Sequence, residues 1–261
     1  MNRKYIIGGN WKMNKTIDEA KKFIAEFTGL VANLTKEIDI VLYPSFTAIA
    51  SAAVASKGKG INIGAQNLYF EEKGAFTGEI SAGMIRESGA SHVIIGHSER
   101  RQIFGESDEL VSKKLKTALL KGLKPIVCIG ETKDERENGS TEQVLETQLR
   151  GSLQALAEPE ITDADVDVSS VVIAYEPVWA IGTGLTATPD QAQDAHAYIR
   201  GVLSGILGEE NANVMRIQYG GSIKPENAAE LFSQQDIDGG LVGGASLEPK
   251  SLAEIIKSVP I

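Results

Sequence analysis

Short runs of apolar, mostly β-branched residues alternate along this chain with stretches of helical periodicity. Most of these runs are apolar at every position, which is typical of parallel strands that are buried on both faces. The predicted strands are Lys4–Asn10, Ile38–Tyr43, Ile61–Gln66, His92–Gly96, Pro125–Ile129, Val171–Tyr175, Met215–Tyr219 and Gly240–Val242. The predicted helices span residues 17–34, 46–56, 81–89, 108–121, 141–157, 189–207, 225–233 and 249–257. The alternation predicts an α/β protein with a parallel sheet and right-handed crossovers.

Two architectures contain eight parallel strands that alternate with helices: a closed (β/α)8 barrel and an open, doubly wound sheet. An open sheet gathers its ligand-binding residues at one switch point, whereas a barrel collects them from many strand ends. Here polar or glycine-rich segments follow predicted strands 1, 3, 4, 6, 7 and 8. The pattern favours the barrel. Because no linker or low-complexity tract divides the 261 residues, we expect residues 1–261 to form a single domain.

The charge balance limits the partners that the chain can bind. It has 26 lysines and arginines against 35 aspartates and glutamates, which gives a net charge of −9. Binding to nucleic acid or to an anionic membrane requires clustered cations, so we expect neither partner. An anionic small substrate is still allowed, because a few placed groups can outweigh the global field.

Cysteine content and apolar run length bear on the compartment. The single cysteine, Cys128, lies in an apolar strand and cannot form an internal disulfide, which fits a reducing compartment. The apolar run near the N-terminus covers only Tyr5–Ile7, too short for a signal sequence, and 18 consecutive apolar residues occur nowhere. We therefore expect a soluble, cytoplasmic protein.

The first predicted strand ends in Gly8-Gly9-Asn10-Trp11-Lys12. A lysine at this position is often no more than a solvated strand end. Two glycines beside Asn10 and Trp11, however, favour a ligand that approaches the backbone closely. Asn10 and Lys12 are therefore candidate site residues.

The fourth predicted strand leads into His97. A single histidine after an apolar run is more often a hydrogen-bonded core residue than a catalyst. However, His92 falls at the opposite end of the strand and His196 on a helix, so His97 is the one imidazole expected on the carboxyl-terminal face. The polar run after it can form a helical turn whose N-terminus points toward the ring and disfavours its protonated form.

Glu176 follows an apolar strand directly and precedes Pro177. A purely structural glutamate is costly there, and partial desolvation would raise its pKa toward that of a useful base. The next segment, Pro177–Ala187, is apolar and then glycine-rich. It is expected to form a lid that closes over a ligand and presents the amide of Gly182, unless it is simply a loop packed on the core.

Glycine pairs end the last two strands, as Gly220-Gly221-Ser222 and Gly243-Gly244. Unobstructed N–H groups near a helix start bind anions, and barrels often bind phosphate between the loops after strands 7 and 8. No second histidine and no carboxylate cluster with ligand spacing is expected on this face, so we expect neither a metal nor an organic cofactor.

A carboxylate base, an imidazole, a lysine and a phosphate clamp suit proton transfer next to a carbonyl in a small phosphorylated metabolite. The base would take a carbon-bound proton while His97 and Lys12 polarise or neutralise the developing oxyanion.

Five segments of the chain, in order and over essentially its whole length, resemble the triosephosphate isomerase family. They are Gly8–Lys12, Gly96–Arg101, Ala174–Gly184, Tyr219–Ser222 and Gly243–Ser246. The resemblance implies a (β/α)8 barrel, usually homodimeric, that interconverts dihydroxyacetone phosphate and D-glyceraldehyde 3-phosphate in glycolysis and gluconeogenesis.

The resemblance also implies a role for each candidate. Glu176 would shuttle the proton between C1 and C2, and His97 would be a neutral electrophile, a pairing established for this family. Lys12 would be the cation, and Asn10 would support the oxyanion. The residues that would hold the phosphate are Gly182, Ser222, Gly243 and Gly244.

Two other functions fit parts of the pattern. A Schiff-base aldolase on the same barrel would use Lys12 as its nucleophile, and borohydride would trap its substrate adduct. A non-catalytic phosphate-binding protein is the third possibility, but it gives no reason for Glu176 beside an apolar lid.

The loop after the third strand, Asn67–Thr77, is long for a strand-to-helix connection and carries five apolar residues: Leu68, Tyr69, Phe70, Ala75 and Phe76. Such a loop either folds back on its own barrel or fills a pocket in another chain. The family resemblance favours the second arrangement, a homodimer in which Thr77 reaches Asn10 and Lys12 of the neighbouring chain.

Overall fold

The fold is a closed barrel of eight parallel strands, as predicted. It is seen in a computed structural model that describes residues 3–162, 166–181 and 186–261. Each strand pairs with its neighbours in chain order, and β8 pairs with β1 to close the sheet. The strands are β1 Ile6–Asn10, β2 Asp39–Tyr43, β3 Ile61–Ala65, β4 His92–Ile95, β5 Lys124–Ile129, β6 Val172–Tyr175, β7 Arg216–Tyr219 and β8 Gly239–Val242.

Helices follow the strands and cover the outside of the barrel. Within the described ranges they are α1 Ile17–Val31, α2 Ile49–Ser56, α3 Ala82–Glu87, α4 Ser98–Phe104, α5 Asp108–Leu120, α6 Lys133–Glu137, α7 Thr141–Ser152, α8 Pro159–Thr162, α9 Pro189–Leu207, α10 Glu209–Val214, α11 Pro225–Phe232 and α12 Pro249–Lys257. The principal helices were all predicted, and the helical turn expected after His97 is α4. The short helices α6, α8 and α10 were not predicted, because four to six residues show too little periodicity to stand out from a loop.

Several predicted helices are shorter than expected, among them α3, which spans Ala82–Glu87 instead of 81–89. The first ends at Val31 instead of residue 34. The second and fifth include 3-10 turns, Phe46–Ala48 before α2 and Gln154–Ala157 after α7. Apolar side chains in a 3-10 turn can continue the periodicity of the neighbouring α-helix, so sequence spacing alone does not separate the two.

The strands are mostly apolar because the barrel has an apolar environment on each side, and their polar residues lie mainly at the strand ends. Side chains on one face, such as Ile7 and Leu42, pack beneath the helices. Those on the other face fill the interior, where Ile6, Val41 and Cys128 are buried. Cys128 is a free, fully buried thiol in the described structure, as expected of a packed strand residue.

The glycine pair in β1 serves packing, and this corrects the prediction that a ligand approaches the backbone there. A methyl group at Gly8 would lie 3.0 Å from side-chain atoms of Tyr43 and Leu241 inside the barrel. One at Gly9 would lie 3.2 Å from Leu42 on the outer side. The glycines therefore let neighbouring large side chains fill the space on both faces of β1.

Arg101 holds the connection that carries His97. Its Nε donates to the carbonyl of Gly96, 2.8 Å away, and its Nη1 pairs with Asp108 at 2.6 Å. Its Nη2 donates to Ser152 Oγ on α7 at 3.0 Å. One side chain thus links the end of β4 to the start of α5 and the end of α7, which fixes the loop at the rim of the barrel.

The loop 67–77 folds back on its own barrel at its start and is exposed beyond that point. Leu68 is fully buried in the barrel's own core, so it does not reach another chain. Beyond it the loop is exposed from Glu71 to Thr77, and Phe76 retains 40% of its surface. The rings of Tyr69 and Phe76 stack at 4.6 Å, so the exposed part has an apolar centre of its own.

A search of the helices in these ranges finds no segment with both the length and the apolar character needed to cross a bilayer.

Packing at the barrel rim generates a stability prediction. A methyl group at Gly130, directly after β5, would overlap the backbone carbonyl of Glu176. Because neither strand can move independently of the barrel, we expect Gly130→Ala to lower the free energy of unfolding by about 3 kcal/mol or more. Chemical denaturation measures the change.

Gly29→Ala is the matched control. Gly29 lies in α1 with nothing within 4 Å of the added methyl group, so it should stabilise the protein by about 0.5–1 kcal/mol. Equal effects of the two substitutions would contradict the assignment of Gly130 to a steric contact.

Candidate active site

A cavity of about 410 Å³ opens at the carboxyl ends of the strands. The structure brings seven of the predicted site residues to its wall: Asn10, Lys12, His97, Glu176, Ser222, Gly243 and Gly244. The eighth, Gly182, lies outside the described residues. The cavity wall also includes Ile181, Ile223 and Leu241, so apolar side chains face the polar groups.

Lys12 is held in an uncommon backbone conformation. Its φ of +50° lies in the left-handed region, which costs energy for any residue except glycine. The Lys12 N–H donates to Asn10 Oδ1 at 3.0 Å, and Gln66 Nε2 donates to the Lys12 carbonyl at 2.8 Å. These hydrogen bonds stabilise the strained turn, which directs the side chain into the cavity. There its Nζ forms an ion pair with Glu99 Oε1 at 2.7 Å.

His97 is the N-cap of α4. The backbone N–H of Glu99 donates to His97 Nδ1 at 3.2 Å, as predicted for a helix that begins beside the ring. A ring nitrogen that accepts a hydrogen bond carries no proton, so this contact favours the neutral tautomer with its proton on Nε2. Nε2 lies 3.0 Å from Glu176 Oε1.

Glu176 is buried, and both of its carboxylate oxygens accept hydrogen bonds from Ser98. Ser98 N–H donates to Oε2 at 2.8 Å, and Ser98 Oγ donates to Oε1 at 3.2 Å. The first N–H groups of a helix are suited to an anion, so the N-terminus of α4 provides the site for this carboxylate.

The pKa of Glu176 is lowered, which corrects the prediction that it is raised. Burial, the largest single influence, does raise it, as predicted. The neighbouring His97, the Ser98 N–H and the charge of Lys12 together outweigh burial. The sequence showed that Glu176 follows an apolar strand, but it did not show that α4 points its N-terminus at the carboxylate.

The pKa of His97 is raised, although the prediction was that its protonated form is disfavoured. Burial and Lys12 lower this pKa, whereas the carboxylate of Glu176 raises it and decides the net direction. The hydrogen bond from Glu99 N–H opposes protonation but does not overcome a buried carboxylate at 3.0 Å. The predicted pKa directions of His97 and Glu176 are both wrong for one reason: the two side chains form a pair, and each stabilises the charged form of the other.

The glycines of β7 and its loop make room for Glu176. A methyl group at Gly220 would lie 2.9 Å from Glu176 Cγ, and one at Gly221 would lie 2.9 Å from Pro177 Cγ. The Gly220 N–H donates to the Tyr175 carbonyl, so it is not available to an anion. The glycines after β8 differ, since a methyl group at Gly244 would meet nothing within 4 Å.

Glu131 does not line the cavity but holds the segment that carries Glu176, and the sequence reasoning missed it. It is fully buried at the end of β5, and its Oε1 accepts hydrogen bonds from Trp179 Nε1 at 2.8 Å and Tyr175 OH at 3.1 Å. Arg136 pairs with the same oxygen at 3.1 Å. Glu131 therefore anchors the start of the predicted lid. The sequence could have identified Glu131, because a glutamate shortly after an apolar strand is the pattern that identified Glu176.

Sequence comparison decides the family. The profile of the triosephosphate isomerase family matches residues 5–259. The triosephosphate isomerase of Citrifermentans bemidjiense is 52% identical over 98% of both chains, and that of Chloroherpeton thalassium is 51% identical over 98% of this chain and 99% of its own. The chain belongs to the triosephosphate isomerase family. The matches include the five segments that carried the resemblance.

Within this triosephosphate isomerase family chain, Ser98 and Glu99 are further residues whose contacts were not predicted. Both lie in the segment Gly96–Arg101, which was noted for its resemblance and for His97 alone. Ser98 binds the carboxylate of Glu176, and Glu99 binds both Lys12 and, through its N–H, His97. A search of the described ranges finds no group of three or more His, Cys, Asp or Glu side chains arranged for a metal.

The pairing of His97 with Glu176 leads to a pH prediction. Glu176→Gln removes the charge that most raises the pKa of His97; of the influences that remain, burial and Lys12 lower it, and burial outweighs the smaller raising effect of Glu99. The pKa of His97 should therefore fall from above its ordinary value of about 6.5 to below it. NMR titration of the histidine ring resonances measures the shift.

His196 is an internal control in the same spectra, because burial already lowers its pKa to about 4 and it should stay neutral from about pH 5 upward in both proteins. An unchanged or raised His97 pKa in Glu176→Gln would show that the carboxylate is not the controlling group.

Proposed function

We propose that this chain interconverts dihydroxyacetone phosphate and D-glyceraldehyde 3-phosphate through an enediol(ate) intermediate, in glycolysis and gluconeogenesis, with no metal or organic cofactor. The observation that carries the proposal is the buried Glu176 carboxylate, which shares one cavity with His97 Nε2 and Lys12 Nζ. Membership of the family supports the same reaction.

Glu176 takes the proton from one carbon of the substrate and returns it to the next. In the ligand-free arrangement its oxygens are engaged by Ser98 and His97, and these contacts lower its pKa. To act as a base it must exchange them for the substrate's C–H. Loss of these hydrogen bonds raises the pKa of the Glu176 carboxylate, because the group stays buried without its partners. The carboxylate therefore becomes more basic when the substrate separates it from Ser98 and His97.

His97 and Lys12 stabilise the oxyanion that forms as the proton leaves. Once Glu176 moves away from the ring, burial and Lys12 lower the pKa of His97 against the smaller effect of Glu99, and the hydrogen bond from Glu99 N–H favours a neutral imidazole with its proton on Nε2. A neutral donor can hydrogen-bond both oxygens of an enediolate in turn. Lys12 supplies the positive charge, and Asn10 keeps the turn that directs it.

The phosphate of the substrate is held on the opposite side of the cavity, by Ser222, Gly243, Gly244 and Gly182. Gly244 begins a 3-10 turn, Gly244–Leu247, whose first N–H groups have no acceptor within the turn itself. The open space around Gly244 leaves room for an anion next to these donors.

The geometry argues against a Schiff-base aldolase. Lys12 Nζ is paired with Glu99 at 2.7 Å, and such a pair requires an ammonium group. Imine formation requires a neutral amine. Borohydride should therefore trap no substrate adduct on Lys12.

A coupled assay with D-glyceraldehyde 3-phosphate tests the function, and Glu176→Asp tests the base. The shorter side chain keeps the charge but withdraws it by about one methylene from the carbon, and a loss of position on that scale costs roughly 100-fold. We expect kcat to fall by about that factor while KM changes little.

Glu210→Asp, an exposed position on α10 at a distance from the cavity, is the matched control and should keep normal kinetics. Near-normal kcat in Glu176→Asp would remove Glu176 from the role of base, whereas a wild-type protein that fails the coupled assay would refute the proposed reaction.

The same proposal includes a homodimer formed through the loop Asn67–Thr77. Exposed apolar side chains support it: Phe76 retains 40% of its surface in the loop, Met13 retains 96%, and Ile103 and Phe104 on α4 retain 71% and 65%. Met13 follows Lys12 directly, and α4 begins beside His97. A partner that covers these side chains would therefore pack against the segments that carry Lys12 and His97, and so would help to position both groups.

Replacing Phe70–Phe76 by a short Gly-Ser turn tests the dimer. The replaced segment is exposed or half-buried, so the barrel should still fold. We expect a monomer with greatly reduced kcat, because the segments of Lys12 and His97 lose their support. Sedimentation and steady-state kinetics decide the matter: an unaltered dimer, or a monomer with full activity, would refute this interface.

We also propose that residues 1–261 act as one domain and that the protein works in the cytoplasm. The supporting observations are a barrel whose elements run from Ile6 to Lys257 and a single, buried, reduced cysteine.

A further inference from the structure

Among the residues that the structure describes, the charged side chains that line the cavity are paired, with one exception. Lys12 is bound to Glu99 at 2.7 Å, and His97 lies 3.0 Å from Glu176. Lys224 also lines the cavity. Among the described residues, no carboxylate lies within 4.0 Å of its ammonium group.

The backbone that carries Lys224 is fixed beside the predicted phosphate site. Lys224 is the N-cap of α11, and its N–H donates to Asn227 Oδ1 at 2.8 Å. Asn227 Nδ2 donates in turn to the Ser222 carbonyl at 3.0 Å. One amide side chain thus holds the loop from Ser222 to Lys224, so the exposed lysine side chain starts from a defined point at the mouth of the cavity.

This charge matters because the rest of the molecule repels the substrate of the proposed function. The chain has a net charge of −9, and a phosphate monoester carries close to two negative charges at neutral pH. The Lys12–Glu99 pair is neutral as a whole, and the His97–Glu176 pair is neutral or negative. Cavities with low-dielectric walls focus the field of the few charges that are not compensated.

We propose that Lys224 steers the dianionic triose phosphate into the cavity and so raises the rate of productive encounter. The inference rests on the proposed function. Lys224 acts before the substrate is bound, at the cavity mouth, and takes no part in the proton transfer. The effect is electrostatic and therefore depends on the charge of the side chain, the charge of the substrate and the ionic strength.

Steady-state kinetics of Lys224→Gln, Lys224→Arg and Lys57→Gln test the proposal. Lys57 is an exposed lysine between α2 and β3, at the opposite end of the barrel, and Lys57→Gln changes the net charge by the same amount. The assay uses D-glyceraldehyde 3-phosphate over an ionic strength range from about 0.01 M to about 0.5 M, across which the Debye length falls from about 30 Å to a few ångströms.

We expect kcat/KM of Lys224→Gln to fall about threefold at the lowest ionic strength, which is the effect of one charge on a dianion about 10 Å away in water with a Debye length of about 30 Å. The loss should come from KM, not kcat, and should disappear as salt is added. Lys224→Arg should retain wild-type kcat/KM, as should Lys57→Gln. With unphosphorylated D-glyceraldehyde, which has no charge, the wild type and Lys224→Gln should be equal at every ionic strength.

A loss that persists at about 0.5 M salt, or a lower kcat, would overturn steering, because it would show that Lys224 contacts the bound substrate or supports the loop. An equal loss of kcat/KM in Lys57→Gln would show that the effect comes from net charge alone, and would also overturn steering by Lys224. Unchanged kcat/KM of Lys224→Gln at low salt would overturn it as well. A wild-type protein without isomerase activity would instead refute the proposed function.

Discussion

The pairing of β1 with β8 is the constraint on which the rest of the structure depends. This pairing closes the sheet in the register Ile6 with Gly239 through Gly9 with Val242, and closure brings the carboxyl ends of all eight strands to one rim. Lys12 and Gly243 are at opposite ends of the chain, yet a methyl group on Gly243 would lie 3.6 Å from Lys12 Cε. In an open sheet the first and last strands can lie far apart, and this contact would be lost.

The pairing of β4 with β5 and of β5 with β6 creates the electrostatic arrangement of the site. The N-terminus of α4 meets the end of β6, so Ser98 binds the carboxylate of Glu176 while His97 lies against it. In this arrangement the charged side chains at the site are paired with one another, which raises the pKa of His97 and contributes to lowering that of Glu176. Under the proposed function, a substrate would have to replace these contacts.

The strands and most of the candidate site residues could be predicted from the sequence. Short, mostly apolar runs predicted every strand within two residues of its observed ends, because a strand buried on both faces allows few polar residues. Glu176, His97 and Lys12 were found because a polar or charged side chain directly after such a run is costly unless it is used. Glu131 shows that the rule was applied incompletely, since it follows β5 in the same way and is buried.

The sequence by itself determined the barrel, the order of its elements and the side chains that reach the cavity, because apolar periodicity and strand ends are local properties. Only the tertiary structure decided which of those side chains pair. It decided that the pKa of Glu176 is lowered, that Gly8 accommodates Tyr43 and not a ligand, and that Leu68 stays in its own core. Those outcomes depend on distances between residues far apart in the chain, and such distances exist only after the sheet has closed.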